Sequence, residues 1–162
     1  IENGTSEIAR AIAGEDLNLY LFEGRRPADN FRALHLTSHL FDEPLCLELI
    51  ADCEVVVAVH GCAGADERLL LGGRDQALRD RLALALRAAG LCADTTGHRY
   101  PAVRPENICN RGATGMGVQI ELTDPLRRGT AALRVAAALR AALLAAAPCY
   151  YTIDQLLSHA DD

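Results

Sequence analysis

Residues 54–59 read Glu-Val-Val-Val-Ala-Val and run into His60-Gly61. A run this apolar and this rich in β-branched side chains predicts a strand covered on both faces. A strand of that kind needs helices above and below it, which points to a layered α/β domain. The rest of the chain supplies suitable partners. Arg68 to Leu71 predicts another strand, ended by Gly72-Gly73. Arg74 to Ala89 predicts a long helix, with Ala77, Leu78, Leu82, Ala85 and Leu86 at helical spacing. Gly117 to Leu122 predicts a strand, and Thr130 to Ala146 a helix with Arg134 and Arg140 outward. Nearer the start, Thr5 and Ser6 can cap a helix that runs to Ala13 and stops at Gly14. Leu17 to Glu23 and Ala33 to Ser38 predict strands. A helix then opens at Pro44 with Asp42 as its cap. Together these elements imply one domain over residues 1–162, a three-layer α/β/α sandwich with a central mixed sheet.

The chain has 162 residues and a mass of 17.4 kDa, enough for one such core. Its net charge of −6 argues against a partner that binds nucleic-acid phosphates. The most apolar stretch, Val135 to Ala147, is interrupted by Arg140 and falls short of the ~18–20 residues a membrane span needs. No charged-then-apolar leader opens the sequence, so no signal peptide is expected in this chain. All the basic residues are arginine, the side chain best shaped to fork a carboxylate. Cys46, Cys53, Cys62, Cys92, Cys109 and Cys149 contain no C-x-x-C spacing, which speaks against a cysteine zinc knuckle. Disulfides and buried free thiols both stay open.

Sites in α/β sheets gather where strands end and loops begin. His60 stands at such an end, followed by a glycine that permits close approach; the blander alternative is a histidine bonded to a loop. Glu121 shares a strand face with Gln119, opposite Val118, Ile120 and Leu122, and is either functional or a solvated edge residue. Asn110-Arg111-Gly112 is either a carboxylate grip or a polar loop. Gly72-Gly73 before a helix is either an anion cradle or a tight turn. His35 and His39 are four residues apart, a spacing that would pair them on one face of a helix, but the segment reads as a strand, so the helical metal pair is weak. Cys62 reads as an inert buried thiol, with a nucleophile or ligand as the alternative. His98 and His159 read as surface residues.

Several of these segments occur in a telling order. Ile1-Glu2-x-Gly4-Thr5-Ser6-Glu7 comes first, then Leu34-His35-Leu36-Thr37-Ser38-x-x-Phe41-Asp42-Glu43-Pro44, Val59-His60-Gly61 and Gly72-Gly73. Asn107-x-x-Asn110-Arg111 and Gly117-Val118-Gln119-Ile120-Glu121 follow. The set, spread over roughly residues 1 to 129, resembles the poly-γ-glutamate hydrolase family of phages and bacteria, which is similar in fold to zinc carboxypeptidases. The resemblance implies one zinc ion and hydrolysis of γ-glutamyl amide bonds in an acidic polymer or peptide. It implies Glu2 and His60 as zinc ligands, Glu121 as the catalytic glutamate, and Asn110 with Arg111 as the clamp on a substrate carboxylate. The family's first ligand motif reads His-Gly-Gly-x-Ile-Glu, so the expectation is that a strand and a ligand histidine belong before Ile1. A monomer is expected, with no nucleic-acid or membrane partner. Two alternatives are a metal-free module that binds acidic peptides and a thiol hydrolase that uses Cys62.

Overall fold

The computed structural model describes residues 2–145. Ile1, the predicted helix end at Ala146, Cys149 and His159 lie outside them. In chain order the elements are α1 (Thr5–Ala13), α2 (Asn30–Leu34), α3 (Pro44–Ala51), β1 (Val57–Cys62) and β2 (Leu69–Gly73). They are followed by α4 (Gln76–Ala88), β3 (Ala93–Asp94), β4 (Val118–Thr123) and α5 (Gly129–Leu144). Short 3-10 turns occupy Ile108–Asn110 and Asp124–Arg127. The strands form one mixed sheet in the order β1-β4-β2-β3, with β1 parallel to β4, β4 antiparallel to β2, and β2 parallel to β3. The α/β class and the mixed sheet are as the sequence implies.

The two faces of the sheet are covered differently. Val118, Ile120 and Leu122 of β4 join Leu69 and Leu71 of β2 in the main core. Ile8 of α1, Leu78, Leu82 and Leu86 of α4, and Val135 and Leu139 of α5 close over them. On the other face a smaller apolar cluster forms from Cys46 and Ile50 of α3 with Ile108, and Tyr20, Phe41, Val56 and Ala58 pack around it.

Several local expectations change in three dimensions. The strand covered on both faces is β4, all six of whose residues are buried, and not 54–59. β1 begins at Val57, stands at an edge of the sheet among the described residues and is half-buried. Residues 17–23 form no strand. Tyr20 and Phe22 instead set their rings edge-on to Phe41, at 6.2 and 5.3 Å between centroids, so their apolar surface is used without a ladder partner. Ala33 and Leu34 close α2, whose first turn is held by reciprocal bonds between the Asn30 amide and the Arg26 backbone. The chain becomes extended only at His35. Glu43, not Asp42, caps α3, its carboxylate accepting from the Cys46 N–H at 2.8 Å. Arg134 and Arg140 do not simply face water. Their guanidinium groups donate to the carbonyls that end α4 and α1 respectively, and Arg140 also pairs with Asp16. No helix among the described residues is long and apolar enough to cross a membrane.

Candidate functional site

Parallel pairing of β1 with β4 sets His60 directly beside Glu121. Neighbours in register point to the same face, and here that is the face away from the main core. Glu2 approaches from the turn before α1. Its Oε2 accepts the Gly61 N–H at 2.7 Å, taking up a donor on the free edge of β1, and lies 3.5 Å from His60 Nδ1. Its Oε1 lies 3.9 Å from His35 Nε2, and Ser38 Oγ stands 3.3 Å from His60 Nε2. Thus Glu2, His60 and Glu121, far apart in sequence, meet at one end of one sheet face.

Their charges are coupled. Burial pushes the Glu2 carboxyl up, but the His60 bond and charge, the Gly61 N–H and His35 outweigh it and hold the group below its ordinary value. Burial pushes His60 down, and the Glu2 carboxylate reverses this, so the imidazole titrates above its ordinary value. Both shifts describe one acid–imidazole pair. Burial raises the Glu121 carboxyl, opposed by the His60 charge and reinforced by Glu2.

Glu121 is 6% exposed and is not a solvated edge residue. It ends a buried chain of side-chain bonds: Asn107 Nδ2 donates to Gln119 Oε1 at 2.8 Å, and Gln119 Nε2 donates to Glu121 Oε1 at 2.7 Å. A carboxylate so held has one orientation. Asn110 is equally committed. Its Oδ1 accepts from the Arg74 and Gly117 backbones, and its Nδ2 donates to the carbonyls of Ala102 and Arg104. An amide has two N–H groups and both are used, so Asn110 has none left for a substrate and instead anchors the loop that presents Arg111. Arg111 is exposed and leans towards the Phe41 carbonyl at 3.5 Å, outside the contacts of the other three.

The remaining candidates resolve by packing. A Cβ on Gly72 would run into the Tyr100–Pro101 backbone and one on Gly73 into Gly117, so this glycine pair serves a close crossing of chains and not an anion. Cys62 is buried, and burial pushes its thiol up, the opposite of what a thiolate nucleophile needs. All five described cysteines are free. His98 is half-buried, placed 3.1 Å from the Leu71 carbonyl, and not a plain surface residue. His39 has no bond to the trio.

Sequence reasoning set His35 aside and passed over Arg99 and Tyr100. Arg99 bonds Tyr100 at 3.0 Å, and its charge reaches Glu121 and Cys62. No spacing rule marks a loop residue of this kind. His35 carried a signal in its separation from His39, but the partner it meets is Glu2. A cavity of about 1170 Å³ extends along β1, with Glu2, His35 and His60 among its lining residues.

In kind, a carboxylate and an imidazole fit zinc; in number, they supply two of the three protein ligands a catalytic zinc normally takes. Among the described residues no group of three His, Cys, Asp or Glu is placed to hold a metal ion.

The poly-gamma-glutamate hydrolase family matches residues 1–134. The chain belongs to the poly-gamma-glutamate hydrolase family. Three curated relatives come from Bacillus subtilis (strain 168). The UPF0714 protein YndL is 39% identical over 130 residues, 79% of this chain and 51% of that protein. The UPF0714 protein YmaC is 38% identical over 129 residues, 78% and 54% of the two chains. The SPbeta prophage-derived UPF0714 protein YoqZ is 35% identical over 130 residues, 79% and 47% of the two. The chain therefore spans about half the length of the curated relatives it matches. Among solved structures, a bacteriophage poly-gamma-glutamate hydrolase superposes with a TM-score of 0.85 at 31% identity, covering 90% of this chain and 79% of that one. A zinc-free apo structure of YndL gives a TM-score of 0.83 at 31% identity, covering 90% and 80%.

Proposed function

We propose that this hydrolase-family chain cleaves γ-glutamyl amide bonds in poly-γ-glutamate or related acidic peptides, with Glu2 and His60 as two of the ligands of a zinc ion. The observation that carries this reading is the meeting of Glu2 and His60 at 3.5 Å with Glu121 beside His60 on the next strand. A zinc ion held there would supply Lewis acidity towards the scissile carbonyl and a water that attacks its carbon. Glu121, fixed by Gln119, takes a proton from that water and passes it to the nitrogen of the breaking C–N bond, which leaves as the amine. Arg111 binds a carboxylate of the substrate through its planar fork, on a loop held by Asn110. A local arginine site reconciles an acidic substrate with a protein of net charge −6.

One observation favours a second reading: with two suitable ligands among the described residues, the face would serve as a metal-free module for acidic peptides. Glu121→Gln separates the two. The substitution keeps shape and an acceptor oxygen but removes basicity. On an anionic γ-glutamyl substrate kcat should fall ~10²–10⁴-fold, the range for losing general acid–base help, with zinc content and melting temperature retained. Unchanged activity would place the base elsewhere, and release of zinc would make Glu121 a ligand. Binding of the polymer with no turnover by the zinc-supplied parent chain would favour the module.

A further inference from the structure

Arg127 lies in the turn after β4, and its side chain is 8% exposed. Its guanidinium reaches back to the strand end. Nη1 donates to the Asn3 carbonyl at 3.0 Å, and Nη2 points at the Cys62 carbonyl at 3.5 Å. Asn3 follows Glu2, and Cys62 is two residues past His60. One cation thus contacts both segments whose side chains make the acid–imidazole pair.

Two glycines make room for it. A Cβ on Gly61 would stand 2.6 Å from Arg127 Nη1 and 2.8 Å from its Cζ. A Cβ on Gly4, at φ +90°, would stand 2.9 Å from Arg127 Cβ. Asp124 pairs with the same guanidinium, compensating its charge and fixing the direction of its N–H groups. Arg127 Nε is buried without a hydrogen-bond partner among the described residues.

We propose that Arg127 is the positioning residue of the site, clamping the Glu2 turn to the His60 strand end so that carboxylate and imidazole stay in register. This rests on the reading of Glu2 and His60 as the ligand pair. A guanidinium suits the task because its fork addresses two carbonyls at once, which an ammonium does not.

The test uses the 162-residue chain and two readouts besides activity. In the metal-free protein, amide exchange is followed by NMR at Gly61, whose N–H is held by Glu2, and at Ile120 in the core as the internal reference. Arg127→Ala should speed exchange at Gly61 at least ~10-fold while Ile120 is unchanged, and Arg127→Lys should restore part of the protection. Zinc titration should show affinity falling ~10–100-fold in Arg127→Ala, the usual effect of losing a group that orients a ligand, and less in Arg127→Lys. Unchanged Gly61 exchange and zinc affinity would overturn the proposal. So would equal acceleration at Gly61 and Ile120, which would make Arg127 a folding residue only. Should Arg127→Ala fail to fold, Gly61→Ala displaces the guanidinium without removing its charge and is expected to move both readouts alike. His60→Ala keeps the two ideas apart. If zinc affinity survives that change the ligand reading fails, while exchange at Gly61 still decides the role of Arg127.

Discussion

On one face of β4, Val118, Ile120 and Leu122 are fully buried against α1, α4 and α5; on the other, Gln119, Glu121 and Thr123 are 5%, 6% and 4% exposed. Burial is nearly equal and the chemistry is opposite. Apolar side chains need only volume, whereas a buried polar group costs stability unless its hydrogen bonds are made. The polar face meets that demand by pairing: Gln119 bridges Asn107 and Glu121, and Thr123 accepts from the Arg68 N–H and donates to the Asp66 carbonyl. The buried polar side chains among the described residues are Asn107, Asn110, Gln119, Glu121 and Thr123, and all belong to this face or to the loop packed on it. One strand therefore anchors the fold with one set of residues and orients a carboxylate with the other.

The contrast can be broken first on its apolar side. Ile120→Ala should cost about 2–5 kcal/mol of stability, the range for truncating a core isoleucine. Chemical denaturation should show a lower midpoint at unchanged slope, and the Glu2–Gly61 bond should persist in the folded fraction. A loss under 1 kcal/mol would mean that the two faces share the load.

A smaller effect is expected on the polar side. Gln119→Leu keeps the volume but strips partners from both Asn107 and Glu121, so stability should fall by about 1–3 kcal/mol. The same change frees the Glu121 carboxylate to rotate. Activity per folded molecule should therefore drop by more than in Ile120→Ala, where the orienting bond is intact. Equal specific activities in the two variants would erase the distinction.

The smallest effect sharpens the comparison by asking how dry the loop layer over the polar face is. Cys109 is fully buried there, and burial pushes its thiol up to about 12, whereas Cys92 is exposed. Iodoacetamide at pH 8 should label Cys92 in the folded protein and spare Cys109, read by mass spectrometry of the peptides. With its folded value raised, the Cys109 contribution to stability is fully present below the unfolded thiol pKa of ~8.5 and is lost as pH climbs towards 12. Rapid native labelling of Cys109 at pH 8 would show that water reaches this layer.

Patterns that a segment satisfies by itself were legible without coordinates. The helical spacing of 74–89 and the strand at 117–122 appear within two residues of where they were expected, whereas His60, expected at a strand end, lies inside β1, which runs on to Cys62. Each depends on periodicity or on local backbone preference. The ordered motifs likewise pointed to the family. Alternation at 17–23 misled because a strand needs a ladder partner, and the rings of Tyr20 and Phe22 found Phe41 instead. Asn110 could not be separated from Arg111 for a similar reason, since nothing local shows that its amide is spent on the backbones of Arg74, Ala102, Arg104 and Gly117.

The sequence by itself determined the helix at 74–89, the strand at 117–122 and the histidine that follows the β-branched run, because these follow from side-chain type and short-range spacing. Tertiary structure alone decided that Glu2 reaches the free edge of β1, that register places His60 beside Glu121, and that Arg127 lies behind them both. Those relations join segments distant in the chain. They are set by strand order and by which face each residue presents, and no local pattern encodes either.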